Sequence, residues 1–129
     1  MKLIERAVEV QKNAYAPYSH FKVGAAVVGE SGKIYCGTNV ENACYPAGIC
    51  AERVAISQAI TKGEKSIKEI AVVGSANKPV IPCGICLQVI SEFASPDLVF
   101  TLSSQDQTKV QKLELKELLP HIYDETFLK

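Results

Sequence analysis

The sequence has no net charge, because 14 Lys and Arg residues are matched by 14 Asp and Glu residues. Without an overall positive field, nucleic-acid binding would need a local basic patch, and the sequence shows none. It also lacks an apolar run long enough to span a bilayer. We therefore expect neither nucleic acid nor a membrane among its partners.

Internal repeats, low-complexity stretches and linkers are also missing. A chain of 129 residues can bury roughly two thirds of the surface that its unfolded form exposes, which is enough for one core. We therefore predict a single domain over residues 1–129. Residues 1–6 are typical of an amphipathic helix start rather than of a secretory signal, so we expect a cytoplasmic location.

Histidine is scarce, whereas cysteine occurs five times. Neither His20 nor His121 has the spacing of a metal ligand. Without a secretory signal, thiols usually serve metals or the core rather than disulfides. Cys36 lies in a strand-like stretch and is interpreted as a small buried apolar residue. Cys44 lies close to Cys50 in sequence and is a possible further metal ligand.

The spacing of apolar residues predicts the element order αββαβαββα. Helices are expected at about residues 2–14, 50–61 and 115–119. A further helix is expected where the apolar residues 86, 89, 90 and 93 share one face. Strands are expected at residues 21–28, 33–37, 68–74 and 98–102 and near 109–111. Small residues at 24–26 indicate that another element packs closely on the first strand. This order predicts an α/β sandwich with a mixed sheet.

Two cysteine motifs stand where helices are predicted to begin, residues 50–52 (Cys-Ala-Glu) and 82–86 (Pro-Cys-Gly-Ile-Cys). The partial positive charge at a helix N-terminus stabilises thiolates, so Cys50, Cys83 and Cys86 are candidate zinc ligands. Three protein ligands leave the fourth tetrahedral position open for water, as in catalytic zinc sites. A structural site with a fourth ligand from the remaining cysteines or the histidines is the alternative.

Two charged residues, Glu52 and Arg53, stand two and three positions after Cys50. Glu52 is close enough to reach a water on the metal without being a ligand, although a carboxylate there could simply favour the helix dipole. Arg53 could hydrogen-bond to ligand thiolates and offset the excess negative charge of a three-thiolate centre. A solvent-exposed helical arginine is the plain alternative for Arg53.

Several motifs in the right order make the chain resemble the small, homotetrameric, zinc-dependent cytidine deaminases. The matching stretches are residues 14–19, 21–26, 39–43, 50–53, 82–86 and 117–120. The resemblance implies a three-layer cytidine-deaminase-like sandwich, with a mixed five-stranded sheet flanked by helices. It also implies a homotetramer with sites at subunit interfaces, and one Zn²⁺ per chain on Cys50, Cys83 and Cys86.

The resemblance further implies hydrolysis of cytidine and deoxycytidine to uridine and deoxyuridine plus ammonia, with Glu52 as the proton shuttle. The substrate contacts that it implies come from Phe21, Asn39, Glu41, Tyr45 across a subunit boundary, and the backbone of Ala51. Asn39 and Glu41 are also two residues apart at a strand end, so both side chains leave on one side and could bind hydroxyls. Ordinary turn polarity is the alternative for this pair.

Two positions depart from the family pattern. Leu87 stands where arginine commonly follows the last zinc cysteine, which suggests an altered interface. Tyr123 stands where the family usually carries an aromatic residue that caps a neighbouring site, and a tyrosine can still stack on a base.

Three other functions fit parts of the pattern. A deaminase of a cytosine-bearing antibiotic nucleoside such as blasticidin S is disfavoured because residues 39–42 match the ribose-binding stretch. A deaminase of cytosine in RNA or DNA is disfavoured by the balanced charge. A non-catalytic zinc module for protein interaction would not require Glu52.

Overall fold

One five-stranded mixed sheet lies between helices in the computed structural model, which describes residues 2–129. Met1, with which the predicted domain begins, lies outside the described residues. The strands are β1 (Val23–Gly29), β2 (Ile34–Thr38), β3 (Ile67–Gly74), β4 (Ala94–Ser103) and β5 (Val110–Glu114). The α-helices are α1 (Leu3–Gln11), α2 (Ala51–Thr61), α3 (Gly84–Phe93) and α4 (Leu115–Leu118). Short 3₁₀ helices cover Tyr45–Ala47 and Glu125–Leu128.

The strands are arranged in the order β2-β1-β3-β4-β5. Strands β3 and β4 run parallel, and the other neighbouring pairs run antiparallel. The parallel connection from β3 to β4 contains α3, as a crossover between parallel strands requires. The predicted mixed sheet flanked by helices is therefore confirmed.

Helices cover both faces of the sheet. Because successive side chains of a strand point to opposite faces, Ala25 and Val27 of β1 join the main core formed with α2 and α3. Ala26 lies on the other face, where it packs with Ala7 of α1 and Val73 of β3. The metal-ligand candidates belong to the α2 and α3 layer.

Two glycines allow the helices to approach the sheet closely. A Cβ atom on Gly24 of β1 would lie 2.1 Å from the carbonyl oxygen of Ala7 in α1. One on Gly37 of β2 would lie 2.5 Å from the backbone nitrogen of Ala55 and 2.7 Å from the carbonyl oxygen of Ala51 in α2. The close packing expected from the small residues of β1 is present, and Gly37 brings the first turn of α2 against the sheet.

Several element boundaries differ from the sequence-based expectation, including those of α1, β1 and β4. Helix α1 ends at Gln11 rather than at 14, because the amides of Asn13 and Ala14 bond to carbonyls three residues back. Strand β1 begins at Val23 rather than at 21, since the Asn39 side chain occupies the carbonyl of residue 21. Strand β4 begins at Ala94, immediately after α3.

Within residues 2–129, none of the helices has the length and apolar character that crossing a bilayer would require.

Candidate active site

Three cysteine thiols meet where the first turns of α2 and α3 come together. Cys50 is the N-cap residue of α2, Cys83 is the N-cap residue of α3, and Cys86 lies in the first turn of α3. The Sγ atoms of Cys83 and Cys86 are 3.3 Å apart, and all three Sγ atoms lie within 4.8 Å of one another. The backbone N–H of Cys86 also donates to the Cys83 sulfur at 3.4 Å. The predicted placement of these cysteines at two helix N-termini is present in the structure.

The thiol cluster fits a zinc ion. Tetrahedral coordination with Zn–S bonds of about 2.3 Å places sulfurs about 3.8 Å apart, and the sulfurs here need only small rotations to reach that spacing. All three cysteines are free thiols. Neither histidine, nor Cys36 or Cys44, joins the cluster, which is the only group of three such ligand side chains found among residues 2–129. Three protein ligands are typical of an open, catalytic zinc site rather than a closed, structural one.

The surroundings of Cys50 lower the pKa of its thiol, which favours metal binding. The hydrogen bond with Cys86 is the largest influence that lowers the pKa of Cys50, to about 5, and the Arg53 guanidinium and Cys83 act in the same direction. The pKa of Cys86 is raised, because this thiol donates to Cys50 and is buried. The cluster therefore holds a thiolate at neutral pH and releases its remaining protons when a metal binds.

Glu52 follows in the first turn of α2 and is only 5 % exposed. Burial raises the pKa of its carboxyl to about 7, and the negative charge of Cys50 adds to this effect. A carboxyl group with a pKa near neutrality can both take and give a proton at physiological pH. Glu52 is thus suited to proton transfer beside the thiols.

Arg53 lies beside the same cluster. Its Nη2 atom donates to the carbonyl of Gly48 at 3.5 Å, and its buried Nε atom has no hydrogen-bond partner. The positive charge of the guanidinium helps to lower the pKa of Cys50. The Arg53 side chain is thus partly buried beside the cluster, and its action on the thiolates stays a prediction.

A cavity of about 430 Å³ opens beside the thiols. Its size is within the range of small-molecule sites. Its walls are residues 39–53, which lead into α2, and residues 80–85, which lead into α3. Sequence-predicted site residues in the lining are Asn39, Glu41, Tyr45, Cys50, Ala51, Glu52, Arg53 and Cys83. The structure therefore brings the candidate sugar contacts and the candidate metal ligands to one cavity, with Cys86 buried beneath it.

The two predicted sugar contacts are each held by hydrogen bonds. The Asn39 side chain donates to the carbonyl of Phe21 at 2.8 Å and accepts from the N–H of Val23 at 2.9 Å. Glu41 accepts from the N–H groups of Tyr18 and Ser19 and from the Ser19 hydroxyl. Both side chains thus have fixed positions in the cavity wall.

Three predicted aromatic contacts lie at or outside the cavity boundary. Phe21 packs so closely on Gly74 that a Cβ atom there would lie 3.0 Å from its ring, and it does not line the cavity. Tyr45 lines the rim and is 75 % exposed. Tyr123 is 55 % exposed, stacks on Phe127 with ring centroids 5.3 Å apart, and is absent from the lining.

Leu87, the residue in place of the usual arginine, is buried in the main core of its own chain. It is therefore a core residue of α3 and offers no side-chain surface for an altered interface.

Sequence reasoning gave Tyr18 and Ser19 no separate role, although both lie within a matched motif. Their bonds to Glu41 join positions 23 and 22 residues apart. The usable signal was Ser19 two residues after Pro17, because a serine in a turn has a hydroxyl that can bond to nearby backbone or side chains.

Residues 1–102 match the family model described as the cytidine and deoxycytidylate deaminase zinc-binding region. A cytidine deaminase of Halalkalibacterium halodurans is 41% identical over 118 residues, which cover 92% of this chain and 89% of that protein. A cytidine deaminase of Sporosarcina psychrophila is 41% identical over 119 residues, 92% of this chain and 87% of that protein. The crystal structure of a cytidine deaminase from Burkholderia pseudomallei is similar with a TM-score of 0.88 and 44% identity, covering 94% of this chain and 96% of that one.

Proposed function

The chain belongs to the cytidine and deoxycytidylate deaminase family, and from that premise we propose that it hydrolyses cytidine and deoxycytidine to uridine and deoxyuridine with release of ammonia. The observation that carries this proposal is the buried Glu52 carboxyl, which faces the same cavity as the thiols of Cys50 and Cys83. A structural zinc site needs no proton-transfer group of this kind, whereas hydrolysis of an amidine does.

Cys50, Cys83 and Cys86 are the residues that would hold one zinc ion. When bound there, zinc supplies Lewis acidity that lowers the pKa of water toward neutrality. Arg53 offsets part of the negative charge of the thiolates, which would otherwise weaken that effect.

Glu52 moves the protons of the reaction. It takes one proton from the attacking water and passes it to N3 of the cytosine ring, then takes the second proton from the hydroxyl formed at C4 and gives it to the 4-amino group, which leaves as ammonia. Oxygen from water replaces nitrogen at C4, so no oxidant or further reactant is needed. The pKa of about 7 for Glu52 suits both halves of this transfer.

The remaining cavity residues bind the nucleoside. We assign the backbone of Ala51 to the cytosine edge and the side chains of Asn39 and Glu41 to the ribose hydroxyls. This assignment is supported by their shared cavity and by their fixed hydrogen-bonded positions.

We further propose that neighbouring copies of the chain complete the site in a homotetramer. Tyr45 and Tyr123 are large side chains that stay 75 % and 55 % exposed in the single chain, as expected if they contact a neighbour. A reducing, cytoplasmic setting is proposed because the three ligand thiols must remain unoxidised to bind a metal.

The proposed function is tested by following absorbance loss with cytidine, deoxycytidine, blasticidin S and a cytosine-containing oligonucleotide under the same conditions. We expect turnover of both nucleosides and none of the oligonucleotide, since the cavity is too small to admit a strand. Faster turnover of blasticidin S than of cytidine, or a comparable rate on the oligonucleotide, would contradict the proposal.

A further inference from the structure

The carboxylate of Glu41 is bonded from one side by the turn that precedes β1. Its Oε1 atom accepts from the backbone N–H groups of Tyr18 at 3.0 Å and Ser19 at 3.1 Å, and its Oε2 atom accepts from the Ser19 hydroxyl. A carboxylate offers about four acceptor positions. Three of them are filled by this turn, which leaves one acceptor position on Oε2.

The direction of the Ser19 hydroxyl is fixed by its own environment. The N–H of Phe21 donates to the Ser19 Oγ atom at 3.0 Å, so the hydroxyl accepts from Phe21 and gives its single proton to Glu41. His20, between them, has a φ of 59° and lies in the left-handed region, which is uncommon for a residue other than glycine. Its N–H bonds to the carbonyl of Ala16 at 3.0 Å, which closes the turn.

Glu41 also lies between two neighbouring cavities. It lines the cavity that contains the thiols, and it lines a neighbouring cavity of about 320 Å³ together with Ser19 and Tyr18. Ser19 borders only the second of these spaces. It can therefore act on a substrate in the thiol cavity only through Glu41.

We propose that Ser19 is a positioning residue, which holds the Glu41 carboxylate so that its free acceptor position receives a ribose hydroxyl of the substrate. This inference rests on the proposed function, in which Glu41 binds the sugar. A carboxylate that is already oriented loses less conformational freedom when substrate binds than a free side chain would. The hydrogen bond from Ser19 is also the largest influence that lowers the pKa of Glu41 and keeps it ionised.

The backbone ties the same segments together without the Ser19 side chain. The N–H of Glu41 donates to the carbonyl of Tyr15 at 2.9 Å, and the N–H of Tyr15 donates to the carbonyl of Asn39 at 3.0 Å. Loss of the hydroxyl should therefore leave the fold intact. The effect of Ser19 on substrate can then be separated from an effect on structure.

The test compares Ser19→Ala and Ser19→Thr with the wild type, each zinc-replete, on cytidine and on 2′,3′-dideoxycytidine. Ser19→Ala is expected to lower kcat/KM for cytidine about 10- to 100-fold, the equivalent of losing one hydrogen bond to a charged group, and mainly through KM. Its effect on 2′,3′-dideoxycytidine, which lacks the hydroxyls that Glu41 would bind, should stay within about threefold. Ser19→Thr keeps the hydroxyl and should restore most of the activity on cytidine.

Ser75→Ala is the matched control, because the Ser75 hydroxyl bonds to the backbone of Lys22 outside the cavity. It should leave both substrates unchanged. If Ser19→Ala does not fold, Ser19→Cys replaces it, since a thiol has similar size and is a much weaker donor.

Equal losses on the two substrates, or no loss on cytidine, would overturn the role of Ser19. Equal kcat/KM for the two substrates in the wild type would overturn the sugar contact of Glu41, and Ser19 with it, while leaving deamination established. Failure of the zinc-replete wild type to deaminate cytidine would instead overturn the proposed function itself.

Discussion

Two carboxylates line the same cavity, and their surroundings shift their proton affinities in opposite directions. Glu41, at the end of the cavity where we propose that the sugar binds, is bonded by the Ser19 hydroxyl and by two backbone N–H groups, which hold the pKa of that carboxyl below its usual range. Glu52, beside the thiols, is buried, and burial raises its pKa to about 7. The environment, rather than the residue type, thus separates the two carboxyls, as the proposed roles of Glu41 as a fixed acceptor and Glu52 as a proton carrier require.

A third carboxylate shows that hydrogen bonding alone does not mark a functional site. Glu64 is 6 % exposed and accepts from the hydroxyls of Ser31 and Tyr35 and from the Ser31 N–H. These bonds join the β1–β2 turn to the segment that leads into β3, and Glu64 lies outside the cavity lining. Glu41 resembles Glu64 in its bonding and differs from it in facing the cavity.

The largest expected effect comes from removing the metal beside Glu52. The purified protein should contain one zinc per chain, and Cys50→Ala should lose that zinc and all measurable turnover, because only two ligands remain. Strong chelators should have the same effect on the wild type. Elemental analysis and cytidine turnover are the measurements. Cys44→Ser is the matched control, since Cys44 is exposed and outside the cluster, and loss of zinc in that variant would contradict the ligand assignment.

Glu52→Gln should lower kcat by roughly 10²–10⁴-fold or more while keeping the zinc and the fold, because it removes a positioned proton-transfer group. Turnover, elemental analysis and circular dichroism together check this. Glu92→Gln, an exposed position on α3, provides the control and should leave kcat unchanged. Near-normal turnover of Glu52→Gln would mean that the proton moves through another group.

Local patterns were sufficient to predict the metal end of the cavity. The ligand spacing of Cys83 and Cys86, and the helix starts at both cysteine motifs, are properties of a few consecutive residues, so the sequence reveals them directly. The mixed sheet followed in the same way from runs of apolar residues. The position of Glu52 two residues after Cys50 likewise needed no knowledge of tertiary structure.

The end of the cavity at Glu41, where we propose that the sugar binds, depends on contacts between residues far apart in sequence. Local sequence patterns do not reveal such contacts. The bond between Ser19 and Glu41 joins residues 22 positions apart, so no pattern of neighbouring residues indicates it. The early start of β4 was missed for a similar reason. Residues 95–98 fall in a register irregularity opposite β3, and this irregularity allows Pro96 to occupy a strand from which its missing N–H would otherwise exclude it.

Arg53→Gln tests how strongly the positive charge beside the thiolates increases the acidity of the water from which Glu52 takes a proton. We expect it to retain zinc and to lose about 10- to 100-fold in turnover, the usual range for a partner of metal ligands. The pH at which activity rises should shift to a higher value, because water at the site becomes less acidic. Turnover measured across pH, with zinc content determined for the same samples, is the check. An unchanged pH–rate profile in zinc-replete protein would mean that the charge is compensated elsewhere.

The smallest effect on catalysis is expected at the carboxylate outside the cavity. Glu64→Gln should leave kcat unchanged and lower the melting temperature by several degrees at neutral pH, because charge-assisted bonds from Ser31 and Tyr35 are weakened. The pKa of Glu64 is lowered in the folded protein, first by the Ser31 hydroxyl. Its contribution is therefore present above the unfolded value near 4.5 and is lost as pH falls through the lower folded value. Thermal melts of both proteins should diverge at pH 7 and approach each other as the pH falls well below 4.5.

The contrast between Glu41 and Glu52 is tested most directly by a carbon-13 NMR titration of the side-chain carboxyls in the zinc-loaded protein. Glu41→Gln and Glu52→Gln identify the two resonances. Glu41 should ionise below the ordinary value of 4.5, and Glu52 should titrate well above it, because its carboxyl is buried. Titration of both groups together near the ordinary value, or in the reverse order, would contradict the assignment of a fixed acceptor at one end of the cavity and a proton carrier at the other.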